Sequence, residues 1–538
     1  MVVSFDSQRR AKPPASSLSS SAVILAALSG LLCCAALPPF DLWPLAFVCW
    51  MPLLVAIAQR TPKQALLLGA MQGFVINAGG SRWLPGVVAT FGKMSPLTAV
   101  LLSLPLWVYG AGRSALLAWL TARARGRGPV GLTFVLALAA SETFYPLLVP
   151  WYAAAQVHRV PLLMQGAELG GPILVGALLA ASSAGLAEWV MARKERRAPN
   201  RGELAFAALA PALLVAYGAA RIPAVDAAVA SAPAGKIGLV QANVPHSGAT
   251  LGRAIDVHRA ATEKLVAQGD LDLVIWPETA LSGVIPSEAL GTVLRRDVAS
   301  PPPGHPRITT PILTGALLKS DEELHNSALV FDGAGTVGGV YDKVRPLVVG
   351  EWLPFEQVFP RLRTWLPSAG QIAPGKSLAP LPLGPHRLSV LICYEDTLGA
   401  FANEMVREAD PDLLVNLTND SWFGRSNVAA MHLALAKFRA VEHRRYLVSA
   451  SNSGVSAFID PIGRSAGETP VLEAATRIGT IHWLHGRTLY ERTGDLFGWL
   501  AAGSLVLGQL VRCLRVASCR TTAEVLPAPS IRGVDPSV

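Results

Sequence analysis

Eight apolar runs, each long enough to cross a bilayer, constrain this chain more than any other feature of its sequence. A membrane-spanning helix needs about 17–25 predominantly apolar residues. Runs of this kind lie at residues 19–37, 42–58, 65–90, 96–120, 129–149, 161–191, 203–221 and 495–516. Charged residues make up only 15% of the 538 residues, which excludes a soluble multidomain enzyme. We therefore predict a polytopic α-helical membrane protein with eight transmembrane helices.

The placement of lysine and arginine predicts how these runs cross the membrane. Basic clusters precede the first run and follow the second, fourth, sixth and eighth runs, whereas the alternate loops are nearly free of them. Cytoplasmic loops carry such an excess of basic residues, so we expect both termini in the cytoplasm. The net charge of +9 follows from these clusters and indicates membrane topology rather than binding of nucleic acid. If one long run did not span, the polar block before the last run would instead face the cytoplasm.

This topology divides the chain into five predicted segments. They are a cytoplasmic N-terminal segment at 1–18, a seven-helix transmembrane domain at 19–222, an extracytoplasmic domain at 223–494, an eighth transmembrane helix at 495–516 and a cytoplasmic tail at 517–538. The tail is rich in proline, threonine and serine, a composition that predicts disorder.

The extracytoplasmic segment alternates between strand-like and helix-like stretches. Short apolar runs typical of strands buried on both faces occur at 237–240, 273–276, 312–315, 328–331, 388–392, 413–417 and 446–450. Helical stretches are predicted between several of them, at 251–268, 397–408 and 428–444. Such alternation predicts an α/β domain in which helices cover a layered sheet.

Three of the predicted strands end in reactive side chains. Glu278 follows one strand, Lys343 follows the strand pair around 328–340, and Cys393 lies at a strand-to-helix junction. At such a junction, backbone N–H groups and the helix dipole favour a thiolate. A carboxylate that takes the thiol proton, an ammonium that stabilises an oxyanion and a nucleophilic sulfur form a coherent set for acyl transfer. The alternative is a cysteine that packs in the core and an ion pair at the surface.

Cys393 is the only cysteine of this domain, and the other five lie in or beside apolar helices. An unpaired thiol in an extracytoplasmic domain has no disulfide partner. Nucleophilic catalysis is therefore the first role to consider for it.

The sequence around these three residues resembles the carbon–nitrogen hydrolase (nitrilase) superfamily. The matching motifs are Trp-Pro-Glu-Thr-Ala at 276–280, Tyr-Asp-Lys at 341–343 and Ile-Cys-Tyr-Glu at 392–395. The resemblance implies a nitrilase-like αββα sandwich with Glu278, Lys343 and Cys393 as its catalytic triad.

The order of membrane and polar segments narrows the resemblance to the apolipoprotein N-acyltransferase family of bacterial lipoprotein maturation. The family implies a multi-pass protein of the bacterial inner membrane, with its catalytic domain on the periplasmic side. Its cysteine takes an acyl chain from a membrane phospholipid and passes it to the α-amino group of the S-diacylglyceryl cysteine of an apolipoprotein. No metal or cofactor is implied.

The family also implies roles for individual residues. Glu278 is expected to be the general base, Lys343 to stabilise the thiolate and the oxyanion, and Cys393 to be the nucleophile. Glu351, in Gly-Glu-Trp-Leu-Pro at 350–354, is expected to support the lysine and the acyl intermediate. Tyr394 and Glu395 flank the nucleophile and are expected to shape the site.

Three loops depart from the family pattern. No aromatic residue follows Asn-Val-Pro at 243–245 before Thr250, Arg345 to Val349 replace a His-Leu-Val-Pro-Phe run, and Asn427 to His432 keep only the histidine of a Gly-Pro-x-Gln-His stretch. All three are expected to touch substrate, so they bear on specificity and turnover. Two alternatives therefore stay open, a membrane-tethered nitrilase-type amidase and a non-catalytic lipoprotein-binding paralogue.

Two further segments have alternative interpretations. The glycine-rich stretch from Gly69 to Gly86 predicts either close helix packing or a broken helix near the site. The apolar loop from Val344 to Phe355 is either a lid that dips into lipid or a loop that packs on its own domain.

Overall fold

A computed structural model describes residues 18–124, 130–245, 250–300, 305–365 and 370–524. Nearly all of the predicted N-terminal segment, the tail beyond residue 524 and the stretch 246–249 in the first departing loop lie outside these residues.

Nine helices precede the polar domain in the described residues, joined in places by short 3-10 turns. They are α1 Ser20–Ala36, α2 Met51–Ile57, α3 Pro62–Gly80, α4 Leu84–Gly92, α5 Pro96–Ala124, α6 Val130–Phe144, α7 Pro161–Met164, α8 Ala167–Lys194 and α9 Arg201–Ser231. Each of the seven predicted runs before residue 222 overlaps at least one of these helices.

Only some of the described helices are long enough to cross a membrane by themselves. By length and composition, four qualify: Pro96–Ala124, Ala167–Lys194, Arg201–Ser231 and Leu496–Leu514. Shorter apolar helical segments lie at Ser20–Ala36, Trp43–Ile57 and Val130–Phe144. The structure thus contains several apolar helices that could span a membrane, and the count of eight remains a prediction.

Two of the predicted runs are interrupted. The third breaks between α3 and α4, where Pro85 starts the second helix, so the glycine-rich stretch contains a broken helix. The sixth divides into α7 and α8, and α8 itself is kinked at Gly170 and Gly171. Gly171 has a φ of +68°, and a Cβ there would lie 2.8 Å from the ring of Tyr490. Only glycine satisfies both constraints.

The polar domain contains thirteen strands in the described residues. They are β1 Ala234–Gln241, β2 Leu273–Ile275, β3 Leu281–Pro286, β4 Ile312–Ser320, β5 Glu323–Phe331, β6 Val337–Asp342, β7 Leu381–Leu383, β8 His386–Ile392, β9 Leu413–Thr418, β10 Tyr446–Ser451, β11 Ala457–Ile459, β12 Ser465–Ala466 and β13 Ala475–His482. The accompanying helices are α10 Leu251–Val266, α11 Leu290–Val293, α12 Arg361–Trp365, α13 Gly399–Ala409, α14 Val428–His443, α15 Leu489–Thr493 and, after the domain, α16 Leu496–Glu524.

The strands form two sheets. The first has the order β13-β1-β2-β4-β5-β6, with β3 beside β4, and the second has the order β12-β11-β10-β9-β8-β7. Strands β1, β2 and β4 run parallel, as do β8, β9 and β10. Strand β6 also points the same way as β4, because both pair antiparallel with β5.

The hydrophobic core lies between the two sheets, and helices cover their outer faces. Ile237 and Ile275 of the first sheet belong to one buried cluster with Val390 and Val415 of the second. On the outer face of the first sheet, Ile255 of α10 joins a separate cluster. Helices α13 and α14 supply residues to the cluster outside the second sheet. The predicted αββα layering is confirmed.

Helix α16 differs from the prediction, because it runs to Glu524 rather than ending at residue 516. The residues that were expected to begin a disordered tail therefore continue the helix.

A buried ion-pair network joins the polar domain to the membrane helices. Arg444, at the end of α14, donates from Nε to Glu168 Oε2 of α8 at 2.8 Å, and Arg221 of α9 lies 2.6 Å from the other oxygen. Tyr217 Oη also donates to Glu168 at 2.6 Å. Because a buried charge is costly without partners, this network fixes the position of α14 on the membrane helices.

Candidate active site

Three strand ends bring the predicted triad together. Glu278 follows β2 and Lys343 follows β6, both in the first sheet, whereas Cys393 follows β8 in the second. Each residue lies at the carboxyl end of its strand, the usual place for chemistry in α/β sheets. Sequence spacing could not have shown that these three residues lie close together, because their proximity depends on how the two sheets pack.

Lys343 lies between two carboxylates in a buried position. Its Nζ is 2.7 Å from Glu351 Oε2 and 3.8 Å from Glu278 Oε1, and its side chain is 1% exposed. Burial lowers the pKa of the Lys343 ammonium, but the two carboxylates outweigh burial and raise it above its usual range. Lys343 is therefore a fixed positive charge.

Asn326 of β5 links the same two carboxylates, although it lies outside the motifs recognised in the sequence. Its Nδ2 donates to Glu278 Oε1 at 2.7 Å and to Glu351 Oε1 at 2.9 Å. The available signal was a polar residue just before the buried apolar run at 328–331. With Asn326 and Lys343, the two glutamates form one buried hydrogen-bonded cluster.

Glu278 is held in place by close backbone packing. Gly315 of β4 lies against it so tightly that a Cβ would sit 2.6 Å from the Glu278 Cα. Burial raises the pKa of the Glu278 carboxyl, as do the charges of Glu351 and Asp420, and Lys343 and Asn326 oppose them. A raised carboxyl pKa suits a group that must accept a proton.

Cys393 adopts a strained backbone conformation at the start of a five-residue 3-10 turn, Cys393–Thr397. Its φ is +52°, a region that costs a non-glycine residue energy and that clusters at functional sites. Thr279, next to Glu278, also has a φ of +52°. Strain at both strand ends is consistent with a site whose geometry is imposed by the surrounding fold.

The expectation that the strand-to-helix junction favours a thiolate is wrong for the resting protein. Burial raises the pKa of the Cys393 thiol well above its usual value, and the charge of Glu278 raises it further, whereas Lys343 lowers it. The 3-10 turn is too short to supply a strong dipole. The sulfur is therefore a thiol at rest and needs a base.

Glu395 ties the loop after Lys343 to the strand that carries Cys393. One of its oxygens accepts the backbone N–H groups of Val344 and Arg345 at 2.8 and 2.9 Å, and the other accepts that of Ile392 at 2.8 Å. Tyr341 Oη donates to both oxygens. Burial raises the pKa of Glu395 to about 7, although these donors and Lys343 oppose the increase. Its contacts are structural ties between the two strand ends.

Tyr394 is half-buried beside the nucleophile, and burial raises the pKa of its phenol. Its backbone carbonyl accepts from Thr397 Oγ1 at 2.7 Å, which closes the turn. This position is consistent with the expected shaping role.

The loop beyond Lys343 exposes large apolar side chains, although the buried Leu353 anchors it. The exposed side chains are Val349, Trp352, Phe355, Val358 and Phe359. Exposure of this extent favours the lid interpretation over a loop packed on its own domain.

The other departing loops lie in different surroundings. Thr250 caps α10 by accepting from the N–H of Arg253. Asn427 donates to the carbonyl of Gly80 at 2.7 Å, where α3 ends, and nearby Phe423 packs edge-on against Trp83 at 5.0 Å. The break between α3 and α4 thus contacts the polar domain beside the candidate site.

Comparison with known proteins first defines the class. Residues 236–483 match the family model of carbon–nitrogen hydrolases, so the polar domain has the nitrilase-like fold. Residues 29–185 match the model of the apolipoprotein N-acyltransferase N-terminal domain.

Relatives over nearly the full length then identify the family. An apolipoprotein N-acyltransferase of Geobacter metallireducens is 30% identical over 88% of this chain and 92% of its own. An apolipoprotein N-acyltransferase of Azotobacter vinelandii is 31% identical over 92% of this chain and 95% of its own. The chain belongs to the apolipoprotein N-acyltransferase family. A solved carbon–nitrogen hydrolase superfamily structure from Xanthomonas campestris aligns with 46% of this chain and 91% of its own, at 23% identity and a TM-score of 0.34.

Proposed function

We propose that this protein is a phospholipid:apolipoprotein N-acyltransferase that works through a thioester on Cys393. Its acyl donor is a membrane phospholipid, and its acceptor is the α-amino group of the S-diacylglyceryl cysteine of an apolipoprotein. Membership of the family supports the overall reaction. The observation that carries the mechanism is the buried cluster of Glu278, Lys343 and Glu351 within electrostatic reach of a thiol.

In the first half-reaction, Glu278 takes the proton of the Cys393 thiol while the sulfur attacks the ester carbonyl of the phospholipid. The C–S bond forms, and Lys343 stabilises the negative charge on the carbonyl oxygen. The tetrahedral intermediate then collapses and the C–O bond breaks. Glu278 returns its proton to the departing lysophospholipid oxygen, which leaves an acyl thioester on Cys393.

In the second half-reaction, the neutral α-amino group attacks the thioester carbonyl. Glu278 accepts a proton from the nitrogen, the C–S bond breaks, and the proton passes to the departing sulfur. An α-amino group has a pKa of about 7.7–8.0, so an appreciable neutral fraction exists near neutral pH. The products are an amide and a regenerated thiol.

Proximity to the membrane suits substrates that are anchored in lipid. Extracting a chain of about 15 methylene groups would cost roughly 12 kcal/mol at about 0.8 kcal/mol per group. The exposed side chains of Trp352 and Phe355, and the contact between Trp83 and Phe423, support a path by which an acyl chain reaches the sulfur without full extraction. We infer that the loop 344–359 is the lipid-facing lid.

The topology belongs to the same proposal. We propose eight spans in the bacterial inner membrane, with both termini cytoplasmic and residues 223–494 periplasmic. The alternation of basic loops supports this orientation. Cysteine-free variants with single cysteines at residue 195 and at residue 322 would test it with a membrane-impermeant maleimide. In intact spheroplasts we expect labelling at residue 322 and none at residue 195. Labelling at residue 195 alone would show that the topology is the inverse of the proposed one.

Detection of the acyl thioester on Cys393 tests the proposed function. Purified protein is mixed with phospholipid vesicles, and intact mass spectrometry follows the acyl adduct. We expect a hydroxylamine-sensitive long-chain adduct on Cys393 that is lost in Cys393→Ala and consumed when a diacylated peptide with a free α-amino group is added. Release of free fatty acid without an N-acyl peptide would indicate a hydrolase, and absence of any adduct would indicate a non-catalytic binding protein.

A further inference from the structure

A second buried ion pair adjoins Glu278 and Cys393. Asp420 lies in the 3-10 turn Asp420–Phe423 after β9, and its Oδ1 is 3.3 Å from Nδ1 of His432 in α14. The two side chains are 4% and 13% exposed. Among the described residues, His432 is the only cation within ion-pair distance of Asp420. A buried carboxylate in this situation depends strongly on its cation.

The fold encloses the Asp420 carboxylate closely. Its Oδ2 accepts from Ser451 Oγ at 3.3 Å, and a Cβ on Gly454 would lie 1.9 Å from the same oxygen. A side chain at position 454 would therefore displace Asp420. This packing holds the negative charge in one place and prevents it from turning toward solvent.

Hydrogen bonds tie the segment that leads to Asp420 to both reactive strand ends. Asn419 Nδ2 donates to Oγ1 of Thr279, the residue that follows Glu278, at 3.3 Å. Asn416, on the same strand β9, donates to Asp396 of the Cys393 turn at 2.6 Å. Asp420 thus follows a strand that is linked to the base on one side and to the nucleophile on the other.

The charges of the ion pair act on the triad. Asp420 is among the groups that raise the pKa of the Cys393 thiol and of Glu278. Burial lowers the pKa of His432, but Asp420, Asp396 and Glu278 outweigh burial and raise it to about 9. His432 is therefore an imidazolium at neutral pH, and it offsets a carboxylate that would otherwise oppose thiolate formation.

We propose that His432 is a positioning residue for acyl transfer, which neutralises the buried Asp420 and so allows negative charge to develop on Cys393. The inference rests on the proposed thioester mechanism. Removing His432 leaves one uncompensated negative charge beside the thiol. Removing both members of the pair removes that charge again. The double variant should therefore react more like the parent protein than like the His432 variant, which loss of packing alone would not produce.

The test compares His432→Gln, Asp420→Asn and the double variant in a background without the other five cysteines. One readout is the rate of alkylation of Cys393 by iodoacetamide from pH 7 to 9. Below the thiol pKa this rate follows the thiolate fraction, so a pKa raised by about one unit lowers it about tenfold. The other readout is thioester formation from phospholipid in a single turnover.

We expect His432→Gln to displace the alkylation profile by about one pH unit to higher pH and to slow thioester formation about tenfold. The double variant is expected to recover most of both losses, and Asp420→Asn alone is expected not to raise the thiol pKa. An unchanged profile in His432→Gln, or a double variant slower than His432→Gln, would overturn the inference.

Thermal unfolding of each variant separates a folding defect from the electrostatic effect. A double variant that unfolds at the same temperature as His432→Gln but reacts faster supports charge neutralisation. If the parent protein forms no thioester, the proposed function fails. If it does and the variants show no profile shift, only the inference about His432 fails.

Discussion

Replacing Glu351 by glutamine removes one negative charge beside Lys343 while keeping the shape of the side chain. In the native site, Lys343 Nζ lies 2.7 Å from Glu351 and 3.8 Å from Glu278. Glu351 thus holds the ammonium away from the base. Without that charge, we expect Lys343 to move toward Glu278, and the pKa of Glu278 to fall.

The distances give the size of the effect. At an effective dielectric constant of about 20, charges 3.8 Å apart attract by about 4.4 kcal/mol. A contact of about 2.8 Å would give about 5.9 kcal/mol. The difference of about 1.5 kcal/mol corresponds to roughly one pKa unit. Loss of the repulsion between the two glutamates acts in the same direction.

A weaker base slows removal of the thiol proton. We expect Glu351→Gln to form the Cys393 thioester up to about tenfold more slowly at neutral pH, measured by quenched single turnovers and intact mass spectrometry. The limb of the pH–rate profile that reports Glu278 should shift to lower pH by about one unit. Once formed, the thioester should retain its normal mass and hydroxylamine sensitivity.

Glu356→Gln is the matched control, because Glu356 lies in the same loop but pairs with Arg363 at 2.7 Å. It should leave the rate and the profile unchanged. A Glu351→Gln rate equal to that of the parent, or a limb displaced to higher pH, would refute the reasoning that Glu351 sets the basicity of Glu278.

Three further substitutions test the surrounding structure. Gly315→Ala places a Cβ 2.6 Å from the Glu278 Cα and should lower single-turnover acylation about a hundredfold; Gly252→Ala, in open space on α10, should leave it unchanged. Asn326→Leu removes the amide donor that Glu278 Oε1 and Glu351 Oε1 share and should destabilise the protein by about 1–3 kcal/mol, seen as lower thermal stability together with slower acylation. Arg444→Met removes one of the two cations that pair with the buried Glu168 and should cost about 1–3 kcal/mol, measured by thermal unfolding in detergent; an unchanged unfolding temperature would contradict the role of this ion pair.

Local sequence patterns predicted much of the polar domain, because its central strands are buried on both faces. All seven predicted strands occur, and the helices predicted at 251–268, 397–408 and 428–444 correspond to α10, α13 and α14. Edge strands such as β13 were missed, since their half-exposed residues lack a continuous apolar run. The break in the sixth apolar run was also hidden, because composition stays apolar across it, whereas the glycines of the third run had left a broken helix as one of two interpretations.

For the candidate site, motif resemblance selected the residues, but neither spacing nor composition could give their arrangement. Asn326 acts through hydrogen bonds between distant parts of the first sheet, and Asp420 acts through its charge from the second sheet; no local pattern carries such information. The expectation for the thiol failed for the same reason. The sequence placed Cys393 at a helix start, whereas burial and the neighbouring glutamate determine its pKa.

The ties made by Glu395 have a consequence for how this protein can diverge. They hold the backbone at Val344, Arg345 and Ile392 to one buried side chain. The lid loop beyond Arg345 therefore starts from a backbone segment whose position is fixed by Glu395. New side chains at the exposed positions of this loop, but not at Glu351, can change the lipid contact surface while Lys343 and Cys393 keep their relative positions, so specificity can change without loss of the chemistry.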